Sequence, residues 1–288
     1  MPPQSLLKIL KGNFVHVFNG LRKGLITSLA FNAAVVAFHV RADEPTSGAT
    51  SIWGDSTDVS FGLGASYAPR YLGSKNYTWA LQPLLRIERG IFFLDSEDGL
   101  GIKWQSDSGF SASASVGYDY GRADGNSDYR YGSDKLKGMG EVSGATVLNL
   151  SASQQLTSWL ALNAQAELRM AGEKRGDRYA FGLESTLLNS DHDKVSWSID
   201  ALGGSGRFNQ TYFGVTPEQS ASSRFASYQA DQGIYAYTSE LSWLHTFNEH
   251  WSAGAGIELT HYTDQVRNSP IVTEDTTATS YIGVNYSF

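Results

Sequence analysis

Apolar and polar residues alternate with a period of two through most of this chain. Val59, Phe61, Leu63, Ala65 and Tyr67 are interleaved with Ser60, Gly62, Gly64 and Ser66. The same rhythm runs through Trp79–Ile87, Leu100–Gln105, Phe110–Tyr120, Leu148–Ser153, Leu160–Met170, Tyr179–Glu184, Val195–Ala201, Tyr235–Trp243 and Trp251–Leu259. Phe92 and Leu94 mark a short additional strand. The last stretch, TATSYIGVNYSF, puts Ser280, Ile282, Val284, Tyr286 and Phe288 on one face and Tyr281, Gly283, Asn285 and Ser287 on the other. This is strand periodicity. A helix would carry these apolar positions all round, and Gly, Ser and Thr are poor helix-interior residues. Twelve strands are predicted, and the fold class is all-β.

A soluble sandwich alternates too, so the choice rests on other features. The polar faces are built of Gly, Ser, Asn, Gln and charges, which suits a wet lumen. Aromatic residues (Tyr67, Trp79, Trp104, Tyr118, Tyr120, Trp159, Tyr179, Trp197, Tyr235, Trp243, Trp251, Tyr286) fall at strand ends, as membrane interfaces favour. The connections alternate in length. Those at 69–78, 121–142, 171–177, 204–231 and 264–276 are long and polar, with 95–98 the short exception. Those at 89–90, 106–108, 155–158, 190–193 and 248–250 are tight turns. Long connections on one side and short ones on the other characterise an outer-membrane barrel. The expectation is a transmembrane, antiparallel, up-and-down β-barrel of about 12 strands spanning 58–288. Gly283, Tyr286 and Phe288 then read as the C-terminal signal for the outer-membrane assembly machinery.

The N-terminal region has a different character. Lys8, Lys11, Arg22 and Lys23 precede an apolar run, Leu25 to Val40, and Val40-Arg41-Ala42 places small residues where a signal peptidase inspects them. Residues 1–42 are expected to be a cleaved leader, and 43–57 a flexible periplasmic lead-in containing Trp53. The whole chain carries 22 Lys/Arg against 29 Asp/Glu. The predicted leader holds no acid, so its removal makes the remainder more acidic, which argues against nucleic acid as a partner. With no cysteine, disulfides and thiol chemistry are excluded.

Candidate chemistry is sparse. His192, His245, His250 and His261 sit at strand ends and turns, without a nucleophile-elbow pattern or committed metal-ligand spacing. They read as interfacial residues, so no catalytic residue, metal or cofactor is assigned. Lumen-facing charges carry more information: Arg86, Glu88, Lys103, Asp119, Glu167, Arg169, Glu184, Asp200, Glu240 and Glu258. Either they line a cation-preferring pore or they cross-link a filled interior, Glu88 with Arg86 and Glu167 with Arg169. The filled interior is the preferred reading. The long outer loops, with Tyr212, Phe213, Phe225 and Tyr228, are either binding surfaces or lids.

Three segments resemble the MipA/OmpV family. One is Tyr212-Phe213-Gly214-Val215-Thr216-Pro217-Glu218-Gln219-Ser220, followed by Ser223 and Tyr228. The second is Ser269-Pro270-Ile271-Val272. The third is Tyr71-x-Gly73-Ser74, followed by Pro83 and Arg86. The resemblance covers about 61–288 and implies a cell outer-membrane barrel in contact with outer-membrane lipid. It further implies a scaffold that joins a lytic murein transglycosylase to a peptidoglycan synthase. Other family members are described as adhesins or osmotically regulated proteins. The family defines no catalytic residues. A diffusion channel for small, cationic solutes and a surface adhesin using the outer loops stand as alternatives.

Overall fold

The computed structural model describes residues 52–171 and 175–288. The predicted leader, most of the lead-in and residues 172–174 lie outside them. The barrel strands are β1 (Asp58–Pro69), β2 (Tyr77–Arg89), β3 (Phe92–Asp95), β4 (Gly99–Gln105), β5 (Phe110–Asp119), β8 (Ala145–Gln155), β9 (Leu160–Arg169), β10 (Arg178–Asn189), β11 (Asp193–Gly204), β12 (Gly233–Thr246), β13 (Trp251–Tyr262) and β14 (Thr276–Ser287). Each pairs with its sequence neighbours, and β1 closes on β14. All barrel pairings are antiparallel, so this is the expected twelve-strand, up-and-down barrel. Two further two-residue strands, β6 (Arg122–Ala123) and β7 (Tyr131–Gly132), form a small parallel ladder within one outer loop.

Alternation sorts the side chains. Leu63, Leu81, Ile102, Phe181, Ile199, Leu241, Ile257 and Ile282 project outward and are exposed. Ser60, Gln82, Asn163, Gln165, Thr238 and Asn285 project inward and are buried. In water this would be an inverted protein; in lipid it places apolar surface against hydrocarbon and polar groups in the lumen. Aromatic contacts mark both edges of the belt. Tyr67 lies 5.0 Å from both Tyr77 and Trp79 at the end bearing the long loops. Tyr286 lies 5.0 Å from Trp251 and 4.9 Å from Phe288 at the end bearing the tight turns.

The described end of the lead-in docks at that second end. Trp53 stacks on Phe92 at 5.0 Å, and the Ile91 N–H donates to the Ile52 carbonyl at 3.1 Å.

One predicted girdle aromatic does not face lipid. Tyr235 was expected on the same face as Tyr237, yet it is completely buried while Tyr237 is exposed. The pairing of β11 with β12 shifts here, with Leu202 opposite Ala236 and Gly203 opposite Ile234. Tyr235 is the extra residue of that β-bulge. A bulge breaks the period of two and re-aims a side chain, and it swings this ring over the lumen.

Candidate functional site

The long connections fold inward over the barrel mouth as a cap. After Ser205, whose hydroxyl accepts from the Phe208 N–H, the helix Gly206–Phe213 turns Phe208, Tyr212 and Phe213 into the interior. Ser at an N-cap satisfies one of the backbone donors that a helix start leaves open. Phe208 packs at 4.6 Å from Tyr212 and 5.6 Å from Tyr235, and Phe213 at 5.3 Å from Tyr235. Leu202, Tyr262, Val266 and Leu72 belong to the same cluster. A second cluster beside it joins Tyr71, Leu136, Met139, Val215, Phe225 and Ile271.

The three motif segments meet in this cap. Gly214 ends the first helix, and Val215 bridges to Tyr228. Thr216 then opens the helix Pro217–Ser222 with a reciprocal capping box to Gln219; Ser220 lies within that helix. The Gln219 amide donates to the Met139 carbonyl at 2.8 Å. Ser269 donates to the Phe213 carbonyl, and Pro270 leads into the buried Ile271. Val272 packs against Gly73, where φ is +74° and a Cβ would fall 2.8 Å from the nearest Val272 methyl. Glycine is required there both by backbone conformation and by space. The Thr273 N–H donates to the Gly73 carbonyl at 2.7 Å. The loop aromatics therefore serve as a lid.

Directly beneath the cap lies a buried ion cluster. Arg175 binds Asp119 at 2.6 Å and also binds Glu167. Arg178 binds the other oxygen of Glu167 at 2.5 Å. The Tyr212 ring lies 5.9 Å from both the Arg175 and the Arg122 guanidinium carbons. Burial, and next the Asp119 charge, push the Tyr212 hydroxyl well above its usual range. The ring therefore presents a neutral aromatic face to the two cations.

A second cluster lines one wall at the opposite end, on the adjacent strands β2, β3 and β4. Arg86 donates to Glu88 at 2.6 Å and Asp95 at 2.8 Å, and Lys103 binds Glu88 at 2.5 Å. The Arg86 guanidinium also lies 5.2 Å from the ring centre of the buried Phe93. Between the clusters, one wall is acidic. Glu240 faces Glu258 across β12 and β13, and Tyr281 donates to Glu240 at 2.5 Å. Asp200 lies near Thr238 at 3.5 Å, and Lys194 lies 3.7 Å from Glu184.

The expected Arg86–Glu88 pair is present. The expected Glu167–Arg169 pair is replaced. Glu167 is taken by Arg175 and Arg178, while Arg169 sits half-buried at the outer end of β9. Arg175 lies in a loop and Arg178 is the first residue of β10, so neither fell in an alternating stretch. Arg122 and Asp95 also escaped the sequence reading. A lumen with far more acids than bases was the available signal that loop cations must enter it.

The histidines do not converge. The rings of His192 and His245 are 6.2 Å apart. The His192 ring contacts the Thr246 carbonyl at 2.9 Å and the His245 ring Asp193 at 2.8 Å. His250 lies against the Ser287 carbonyl and His261 against the Thr276 hydroxyl, each at 2.8 Å. At the assembly segment, Gly283 lies between Gly64 and Gly254, and Phe288 is exposed beside Tyr286.

A search of curated proteins returned no match. Among solved structures, a loop-deletion form of OmpT, an outer membrane protein of Vibrio cholerae, is similar at 7% identity over 81% of this chain and 98% of that one, with a TM-score of 0.38. The KdgM porin is similar at 10% identity over 80% and 99%, with a TM-score of 0.39. The NanC porin is similar at 9% identity over 80% and 99%, with a TM-score of 0.37. The family described as MltA-interacting protein MipA matches residues 61–288, which include the whole capped barrel from the middle of β1 onward. The chain is an outer-membrane β-barrel protein that belongs to the MltA-interacting protein MipA family.

Proposed function

We propose that this barrel is a non-enzymatic scaffold that holds peptidoglycan-remodelling enzymes at the outer membrane. The family description supports a lytic murein transglycosylase as one partner, and the resemblance in the motif segments supports a peptidoglycan synthase as another. One observation carries the reading: buried ion pairs gather in the lumen at both ends, and its mouth is covered by a cap built from the motif segments themselves. Such a barrel offers surfaces rather than a passage. The rim with the tight turns, extended by the docked 52–57 segment, is the face available to periplasmic enzymes. The adhesin alternative loses its main contact surface, because Tyr212, Phe213 and Phe225 are buried in the cap.

The acidic middle of the lumen, with Glu184, Asp200, Glu240 and Glu258, favours one second reading, a cation-selective channel whose cap opens. A pull-down from crosslinked envelopes separates the two when paired with planar-bilayer recording. Capture of a transglycosylase together with a silent bilayer is expected. Steady cation-selective openings that weaken in Glu240→Gln, without enzyme capture, would overturn the scaffold.

A further inference from the structure

The barrel wall has a notch. β2 runs from Tyr77 to Arg89, but its partner β3 covers only Arg86–Arg89. Ser96 adds one more step, exchanging bonds with the Leu85 N–H and carbonyl at 3.2 and 3.0 Å. Above Leu85, residues 77–84 have no strand on that side among the described residues. Across the opening, β4 reaches only Val116 of β5, so Gly117–Asp119 also have no strand beside them on that side among the described residues. The short β3–β4 hairpin thus leaves a wedge open between β2 and β5, roofed by the loop segment 127–132. The resulting cavity has a volume of about 650 Å³, within the roughly 300–1,000 Å³ usual for small-molecule sites.

The sequence is adapted to this edge. Leu85 points both backbone groups at the hairpin, so with a period of two Pro83, Leu81 and Trp79 point theirs at the opening. Proline is tolerated in a sheet only where its missing N–H faces no partner. Pro83 sits at such a place.

The notch also lies at the level of lipid. Trp79 and Leu81, 70% and 76% exposed, border it in the outward belt. Val116 and Tyr118 border it on the other side. Its rear wall is polar: Gln82 donates to Glu97 at 2.9 Å across the base, and Arg70, Asp128 and Arg130 line the upper rim.

We propose that this notch binds a lipid from the loop-side half of the bilayer, with an acyl chain between Leu81 and Val116 and the polar ester region at the rim. The occupant must be apolar below and hydrogen-bonding above, and it must arrive from the membrane; a membrane lipid meets all three conditions. A strand from a second copy fits less well. Pro83 interrupts the ladder it would need, and β5 offers only three residues without a strand beside them. This inference rests on the barrel's membrane placement and is independent of the scaffold reading.

The test is photocrosslinking of the full-length barrel in phosphatidylcholine vesicles, with a diazirine on the acyl chain and adducts mapped to single residues. Lipid surrounding the barrel will label outward residues everywhere, so the informative positions face inward. Adducts are expected on Ala80 and Gln82, behind the notch, and absent from Gln165, which faces inward behind an intact wall. Ala80→Trp should fill the notch and reduce those inward adducts at least about tenfold. Heat-modifiable gel mobility checks that the variant is folded, and if it is not, the wild-type comparison of Ala80 with Gln165 still decides. Equal labelling of Ala80 and Gln165, or no lipid adduct on Ala80, would overturn the proposal.

Discussion

The Ser269 hydroxyl donates to the carbonyl of Phe213 at 2.5 Å, tying the loop before β14 to the end of the helix that plugs the barrel mouth. Both residues are buried, so the bond is shielded from competing water. Removing the hydroxyl leaves a buried carbonyl without its partner, at a cost of about 1–3 kcal/mol. Ser269→Ala should therefore raise the rate at which external protease cuts the 205–232 segment, while the strand core stays protected. Unchanged cleavage would mean that the aromatic cluster alone secures the cap.

Gly73 supplies the second tie. Gly73→Ala imposes a side chain at positive φ, about 1–2 kcal/mol by itself, and drives its Cβ into the Val272 methyls. A fall in Tm of several degrees in detergent is expected. Val272→Ala in the same chain should recover part of it, because it relieves the clash but not the backbone conformation.

Arg175 holds Asp119 and Glu167 together under the cap. Arg175→Ala leaves the buried Asp119 without its cation while Glu167 keeps Arg178, and breaking such a network costs about 3–5 kcal/mol. In planar bilayers the wild-type barrel should be silent and Arg175→Ala should flicker open. An equally silent variant would assign the closure to Phe208, Tyr212 and Phe213 instead.

Ala164 and Phe181 are outward cross-strand neighbours on β9 and β10. An Arg at either position faces hydrocarbon and should cost roughly 2–4 kcal/mol at mid-membrane depth. Denaturant unfolding from liposomes measures it. Phe181→Leu should cost far less, and equal losses for Phe181→Arg and Phe181→Leu would argue against the lipid placement of this face.

Strand number, order and facing were legible because a period of two is imposed by the backbone and reinforced by two different solvents. What escaped is what breaks that period. Tyr235 left its face because the strand gained one residue at a bulge, and nothing in the local composition announces it. Arg175 reaches the lumen from a loop, where side-chain direction has no period. The motif segments were visible as residues, but their meeting at Gly73, Phe213 and Ser269 depends on contacts between distant parts of the chain. The notch was half visible: a short β3 and a proline within β2 were both in the sequence, yet only the pairing shows that they belong together.

The contact between Gly73 and Thr273 spans almost the entire barrel in sequence. Bringing such distant residues together costs loop entropy until the intervening strands have paired. The cap therefore belongs to the end of folding. While β14 has yet to reach β1, the 70–76 and 263–275 loops have no fixed distance between them, and the aromatic helix has only part of its seat. Closure of the barrel and sealing of its mouth become one cooperative event, so a chain stalled in assembly carries an unsealed mouth. Surface protease would then distinguish finished from unfinished barrels by a loop that lies far from the closing seam's last residue.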